Sequence, residues 1–244
     1  MSDQAHGETE EGAATGGTGV ANWEPSSVKV RTIARALLNV GIGVPESVPS
    51  NVARLVVALY EDLSTGSPLS PMRFESLTAA SGVAADVLRA AGARWLQFDG
   101  AGSLTGFGGL TVRPTRHRLV LDGRHLYLWC ALDGLLVAHA LGRPVRIETH
   151  CPTTRVRIEV AASQERVEHA EPGDAVMSVV VPESGAACSV SETRRGFCEY
   201  VNFFHSKHVV LLDSLTRPDA GVLTMDDAFA LAGLLMLPLR NARI

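Results

Sequence analysis

Apolar residues recur at helical spacing in the first part of the chain and give way to alternating or continuous apolar runs in its middle. A helical stretch covers 30–40 and stops at Gly41 and Gly43. Val52, Leu55, Val56, Leu59 and Leu63 share one face of a second helix, which Ser50 or Asn51 can cap. Residues 71–80, a turn at Ser81-Gly82 and a helix over 83–91 then lead to a hairpin with strands 95–98 and 104–107 joined through Asp99-Gly100. Helix, turn, helix, hairpin is the order of a winged helix, and it predicts a winged-helix-like domain over 25–110.

From residue 111 to 244 the period changes. Residues 118–121 and 125–129 flank Asp122-Gly123 as a hairpin, and 130–141 reads as a buried helix closed by Gly142. Further strands are expected at 145–149, 156–161 and 175–181, with a strand-like 200–204, a helix near 209–215 and an amphipathic helix over 224–237. Thr224 and Asp227 resemble a capping box at the start of that last helix. The predicted class is α+β. Residues 1–24 hold Gly, Ala, Thr, Ser and acidic residues without an apolar period, so we expect a disordered tail.

Composition narrows the function. With 244 residues, 46% of them hydrophobic, the chain can bury a core without staples. A net charge of -4 and a pI near 6.1 offer no basic stripe for nucleic acid or an anionic membrane. The would-be recognition helix has only Asp86 and Arg89 among alanine, valine and leucine, so we read the first block as a packing domain, not a DNA reader. No apolar run approaches the roughly 20 residues needed to span a bilayer, and a soluble cytoplasmic protein is expected. Its four cysteines, Cys130, Cys151, Cys188 and Cys198, are too few and scattered for a disulfide framework, which leaves core packing or chemistry.

Two of them stand in suggestive company. Cys130 and Asp133 lie three apart in an apolar segment, on one face if a helix starts there. A carboxyl in that setting is either an N3 cap held by backbone amides or a group that is paired and used. Cys198 follows Arg194 and Arg195, whose charges favour a thiolate, although a buried Cys is also a common small hydrophobe. His150-Cys151-Pro152 fits a metal ligand or a strand end with a buried thiol. No zinc-finger spacing, Walker loop or G-x-S-x-G is present, and the glycines at Gly106, Gly108 and Gly109 fit a turn.

Four blocks in order, GLTVRPTRH from Gly109 to His117, LYLWCALD from Leu126 to Asp133, LGRPVRIETHCP from Leu141 to Pro152, and Phe197-Cys198 through Asn202 to Phe204, resemble the signatures of the alkylmercury (organomercurial) lyase family over roughly 30–237. The resemblance implies a winged-helix-like domain joined to a catalytic domain of small antiparallel sheets surrounded by helices. It implies catalysis and mercury binding by Cys130, Cys198 and Asp133, a pocket tryptophan at Trp129 and a structural cysteine at Cys151. It implies no resident cofactor: Hg(II) stays on the thiols as product, external low-molecular-weight thiols support turnover, and a mercuric reductase is a candidate acceptor. Glu199, Tyr200 and Asn202 depart from the family pattern, which often has a second cysteine after the one matching Cys198 and a histidine soon after.

The residue types agree with that chemistry on their own terms. Soft thiolates select soft metals, and a carboxyl beside them can act first as general base and then as general acid to the departing carbon. The alternative is a catalytically inactive lyase-like protein that binds soft metal. A metal-sensing winged-helix regulator is a third reading, disfavoured by the acidic charge.

Overall fold

Helices form where the apolar spacing says they should. In the computed structural model, which describes residues 28–182, 189–213 and 220–243, α1 (Val28–Asn39) buries Val30, Ala34 and Leu37 on one face. The expected tail at 1–24 and Cys188 lie outside the described residues. α2 (Ser50–Ser64) buries Leu55, Leu59 and Leu63 from the expected stripe. Its N-cap, however, is Pro49, and no side chain caps it. The Asn51 amide instead donates to the Ser81 carbonyl at 2.8 Å, which ties α2 to the turn after α3 (Pro71–Ala80). α3 begins conventionally, with Ser70 accepting from the Arg73 N–H at 3.2 Å and Pro71 in the first turn, where its missing N–H costs no hydrogen bond. In the short α4 (Ala85–Ala91) the Arg89 guanidinium sits over the rings of Phe74 and Phe98, 4.7 and 4.4 Å from their centroids. That charge is committed to packing.

The hairpin of β1 (Leu96–Phe98) and β2 (Leu104–Phe107) does not stand apart. It continues through β3 (Leu110–Thr111) into an antiparallel sheet with β4 (His117–Leu121), β5 (Arg124–Leu128), β6 (Val145–His150), β7 (Arg157–Ala162) and β8 (Val167–Glu171), in the order β1-β2-β3-β5-β4-β6-β7-β8. The sheet therefore runs unbroken past residue 110. A three-stranded antiparallel sheet, β10-β9-β11, is built from β9 (Val176–Val179), β10 (Phe203–Phe204) and β11 (Gly221–Thr224). The stretch expected as a strand at 200–204 is split: a 3-10 turn over Cys198–Tyr200 precedes the two-residue β10.

α5 (Ala131–Leu141) is the central helix, with every residue buried, and it ends at Gly142 in the left-handed region at φ 65°. It packs on α2, β6 and α8 (Met225–Leu235), whose first turn is capped by Thr224 accepting from the Asp227 N–H at 3.1 Å. α7 (Lys207–Asp213) lies against β10 of the small sheet, and α6 (Val190–Gly196) packs on the 3-10 turn over Cys198–Tyr200. Leu37, Leu59, Leu104, Leu119, Leu135, Phe203 and Leu231 belong to one core, which unites the helical block with both sheets. Arg143 clamps the same junction from outside, pairing with Glu61 on α2 and with Asp122 at 2.5 Å. The architecture is α+β with antiparallel sheets. Among the described residues no helix is long and apolar enough to cross a membrane.

Candidate active site

The start of α5 carries the first half of the site. Cys130 is its N-cap residue, in extended conformation, and its N–H donates to Asp133 Oδ2 at 2.6 Å. Asp133 is therefore the N3 cap that its spacing allows, and its carboxyl also stands beside a thiol. Flanking backbone bonds fix the pair: the Trp129 N–H donates to the Gly109 carbonyl at 2.8 Å and the Ala131 N–H to the Val201 carbonyl at 3.1 Å. The second bond reaches the segment just after the 3-10 turn that carries Cys198. As a result one ligand atom each from Cys130, Asp133 and Cys198 lie within 4.8 Å of one another. Their relative exposures are 0, 5 and 3%, so water is largely excluded.

Burial sets the protonation of this group. It pushes the Asp133 carboxyl up to about 7, against hydrogen bonds from Cys130 and the Trp129 backbone and the field of Arg194, all of which lower it. The Cys130 thiol is also held up, first by burial and then by hydrogen bonding to Cys198 and the negative charge of Asp133. Near neutral pH a carboxyl poised between its two forms thus faces a protonated thiol.

Two glycines and a tyrosine complete the walls, a role that apolar periodicity does not encode. Gly109 has φ +94°, and a Cβ there would stand 2.1 Å from Asp133 Cγ. Gly108 has φ +52°, and a Cβ there would stand 2.3 Å from the Tyr60 hydroxyl oxygen, which donates to the Gly108 carbonyl at 2.8 Å. What reads as a turn is also the only backbone that lets the carboxyl approach so closely. Adjacent glycines leading into β3 at the head of the GLTVRPTRH block are the signal that was available.

Two cavities meet at the site. An apolar one of about 200 Å³ is lined by Tyr60, Trp95, Phe107, Trp129, Leu136 and Phe197, together with Asp133 and Cys198. A polar cleft of about 870 Å³ is lined by Gln97, Arg116, Arg194, Arg195 and Glu199, and it shares Trp129 and Cys198 with the first. Trp129, which is 4% exposed, is oriented by its ring N–H donating to Gln97 Oε1 at 3.3 Å.

The departures from the family pattern have visible places. Glu199 is exposed at the cleft. Asn202 is buried, donating from its amide to the Glu199 carbonyl at 2.8 Å and accepting from the Arg116 guanidinium at 2.5 Å, so it braces the turn that presents Cys198. Arg116 had not been singled out from sequence. Cys151 does not join the trio: it is buried at the end of β6, where its N–H donates to the Val156 carbonyl at 2.8 Å. Its neighbours are Thr154 and His205, themselves 3.0 Å apart between Oγ1 and Nδ1. Neighbouring His150 is exposed.

The family model described as MerB: Alkylmercury lyase matches residues 110–236, more than half the chain. An alkylmercury lyase of Pseudomonas putida is 32% identical over 188 residues, which is 77% of this chain and 85% of that protein. Alkylmercury lyases of Staphylococcus epidermidis and Bacillus cereus are each 37% identical, over 136 and 142 residues. Those matches take in 56% and 57% of this chain but only 60% and 62% of the two relatives' own lengths. Among solved structures, the mercury-bound form of MerB2 superposes with a TM-score of 0.67 at 20% identity, covering 87% of this chain and 100% of that one.

Proposed function

The chain belongs to the alkylmercury lyase family, and from that premise we propose that it cleaves carbon–mercury bonds by protonolysis. One observation carries the reading: two thiols and a carboxyl converge within 4.8 Å, almost fully buried, beside an apolar cavity that can receive the organic group.

The residues then divide the work. Asp133 in its ionised form takes the proton of the Cys130 thiol, which burial otherwise keeps in place. The Cys130 thiolate and Cys198, whose proton departs with the anionic ligand that mercury gives up, bind mercury as soft ligands and push electron density toward the metal–carbon bond. Asp133, now protonated and held so by its apolar surroundings, gives the proton to the carbon. One carbon–mercury bond is replaced by a carbon–hydrogen bond, and Hg(II) remains on the two sulfurs with no change of oxidation state. Trp129 walls the cavity on the hydrocarbon side.

The finer architecture is read in the same light. The helices and hairpin before residue 110 act as a winged-helix-like packing domain whose Tyr60 and Trp95 roof the apolar cavity of the catalytic part. A reducing cytoplasm would keep Cys130 and Cys198 as thiols, external thiols would regenerate them, and a mercuric reductase would be a fitting acceptor.

Incubation of the purified chain with phenylmercury acetate and excess thiol is the deciding experiment. Benzene should appear in catalytic amounts. Mercury retained on the protein without benzene would reduce the chain to a soft-metal-binding module.

A further inference from the structure

The polar cleft is not needed for the bond cleavage itself, yet it opens onto Cys198 with an unusual charge pattern. Three guanidinium groups, Arg116, Arg194 and Arg195, line it against one carboxylate, Glu199. The ion pairs formed among the described residues include none of these three arginines. Arg116 is fixed by the neutral amide oxygen of Asn202, which orients the guanidinium without cancelling its charge. At about 870 Å³ the cleft is within the size range of small-molecule sites and much larger than its apolar neighbour of about 200 Å³. The two cavities therefore offer opposite chemistries to one sulfur, an apolar one toward Asp133 and a cationic one on the other side.

We propose that this cleft is the binding site of a carboxylate-bearing low-molecular-weight thiol, which Arg116, Arg194 and Arg195 hold with its sulfur directed at the metal on Cys198. The inference rests on the lyase reading above and gives that reading its co-substrate. Guanidinium forks match carboxylates, so a thiol with one or two of them is oriented as well as attracted. The exchange balances without a redox partner: two incoming thiols form two mercury–sulfur bonds, the bonds to Cys130 and Cys198 break, and the two thiol protons pass to the freed cysteine sulfurs. Hydrocarbon and metal would thus leave by different doors.

The test loads the full chain with one equivalent of mercuric chloride, detected by intact mass and by heavy-atom quenching of tryptophan fluorescence. Recovery of fluorescence is then followed on mixing with mercaptosuccinate, 2-mercaptoethanol or cysteamine, each compared at equal thiolate concentration. At an ionic strength of about 0.02 M, mercaptosuccinate should extract mercury about tenfold or more faster than cysteamine, and the gap should close at about 0.5 M. The mercaptosuccinate-to-cysteamine ratio should fall toward unity in Arg194→Gln/Arg195→Gln and rise in Glu199→Gln, two opposite shifts that a folding defect would not produce. Extraction rates indifferent to thiol charge, or a ratio unmoved by either variant, would overturn the inference while leaving the lyase reading intact. Failure to take up mercury at all would overturn both.

Discussion

Cys130 and Cys151 are equally closed to solvent, at 0% exposure each, but their neighbours act on them in opposite directions. At Cys130, burial, Cys198 and the charge of Asp133 all hold the proton on. At Cys151 burial also raises the thiol, but hydrogen bonds from Thr154 and His205 outweigh it, and the result is lowered to about 7. Ease of ionisation alone would pick Cys151 as the reactive thiol. Convergence picks Cys130, because among the described residues only there do a second soft donor and a carboxylate proton acceptor meet. The contrast teaches that ease of ionisation and convergence of donors are separate properties of a buried thiol; under the proposed mechanism Asp133 is the device that makes the more reluctant one usable.

The sharpest way to break this contrast is to disable the proton acceptor. Asp133→Asn keeps the shape of the cap but cannot cycle a proton, so hydrocarbon release should fall by about 10²–10⁴-fold while mercury still loads, though more slowly. Cys130→Ser should instead weaken capture itself, since a hydroxyl is a hard, poorly ionised ligand. Single-turnover benzene release together with intact-mass measurement of bound metal separates the two. Near wild-type turnover in a folded Asp133→Asn variant would reduce Asp133 to a helix cap.

Stability against pH probes the same carboxyl without mercury. The folded state holds the Asp133 proton up to about 7, well above the ordinary 3.8. Its contribution to stability is thus fully present below about pH 4 and is lost as pH rises through 7. Asp133→Asn has no such loss, so its unfolding free energy relative to wild type, read from denaturant melts, should climb between pH 4 and 8 by at most on the order of 4 kcal/mol. A pH-independent difference would show that Asp133 titrates as an ordinary surface carboxylate.

Cys151→Ser should cost about 1–3 kcal/mol, nearer the lower figure if Thr154 or His205 partners the new hydroxyl, and should leave turnover in place. Loss of activity in that variant, with denaturant melts showing it folded, would erase the distinction between the two thiols. Tyr60→Phe should be milder still. It deletes the hydrogen bond to the Gly108 carbonyl, about 1 kcal/mol by denaturant titration, without touching the sulfurs.

Much of this molecule was legible in its sequence wherever burial imposed a period. Leu55, Leu59 and Leu63 announced α2, and Cys130 and Asp133 announced a capped helix start. β8 was missed because Val167 and Ala170 are only partly buried among exposed Glu168, His169 and Glu171, so no alternation reaches the level of a signal. α6 was missed because it is short, polar and capped by Ser189 accepting from the Glu192 N–H, with only Thr193 buried. The pairing of Cys130 with Cys198 came from family resemblance alone. Spacing across 68 positions carries no geometry, and the contact depends on a backbone bond between Ala131 and Val201 that side-chain patterns do not encode. Gly109 and Arg116 escaped for a related reason: one matters for the side chain it lacks, the other for the amide across the fold that aims it.

That bond between Ala131 and Val201 has a kinetic side. By pinning the two cysteine segments together it makes attachment of the second sulfur an intramolecular event, with an effective concentration that no free thiol in solution approaches. A metal caught this way rebinds its second ligand before it can drift off. On the proposed mechanism the same splice that speeds capture would make the chain, left without an exchange partner, a single-use reagent that stops after one hydrocarbon per molecule.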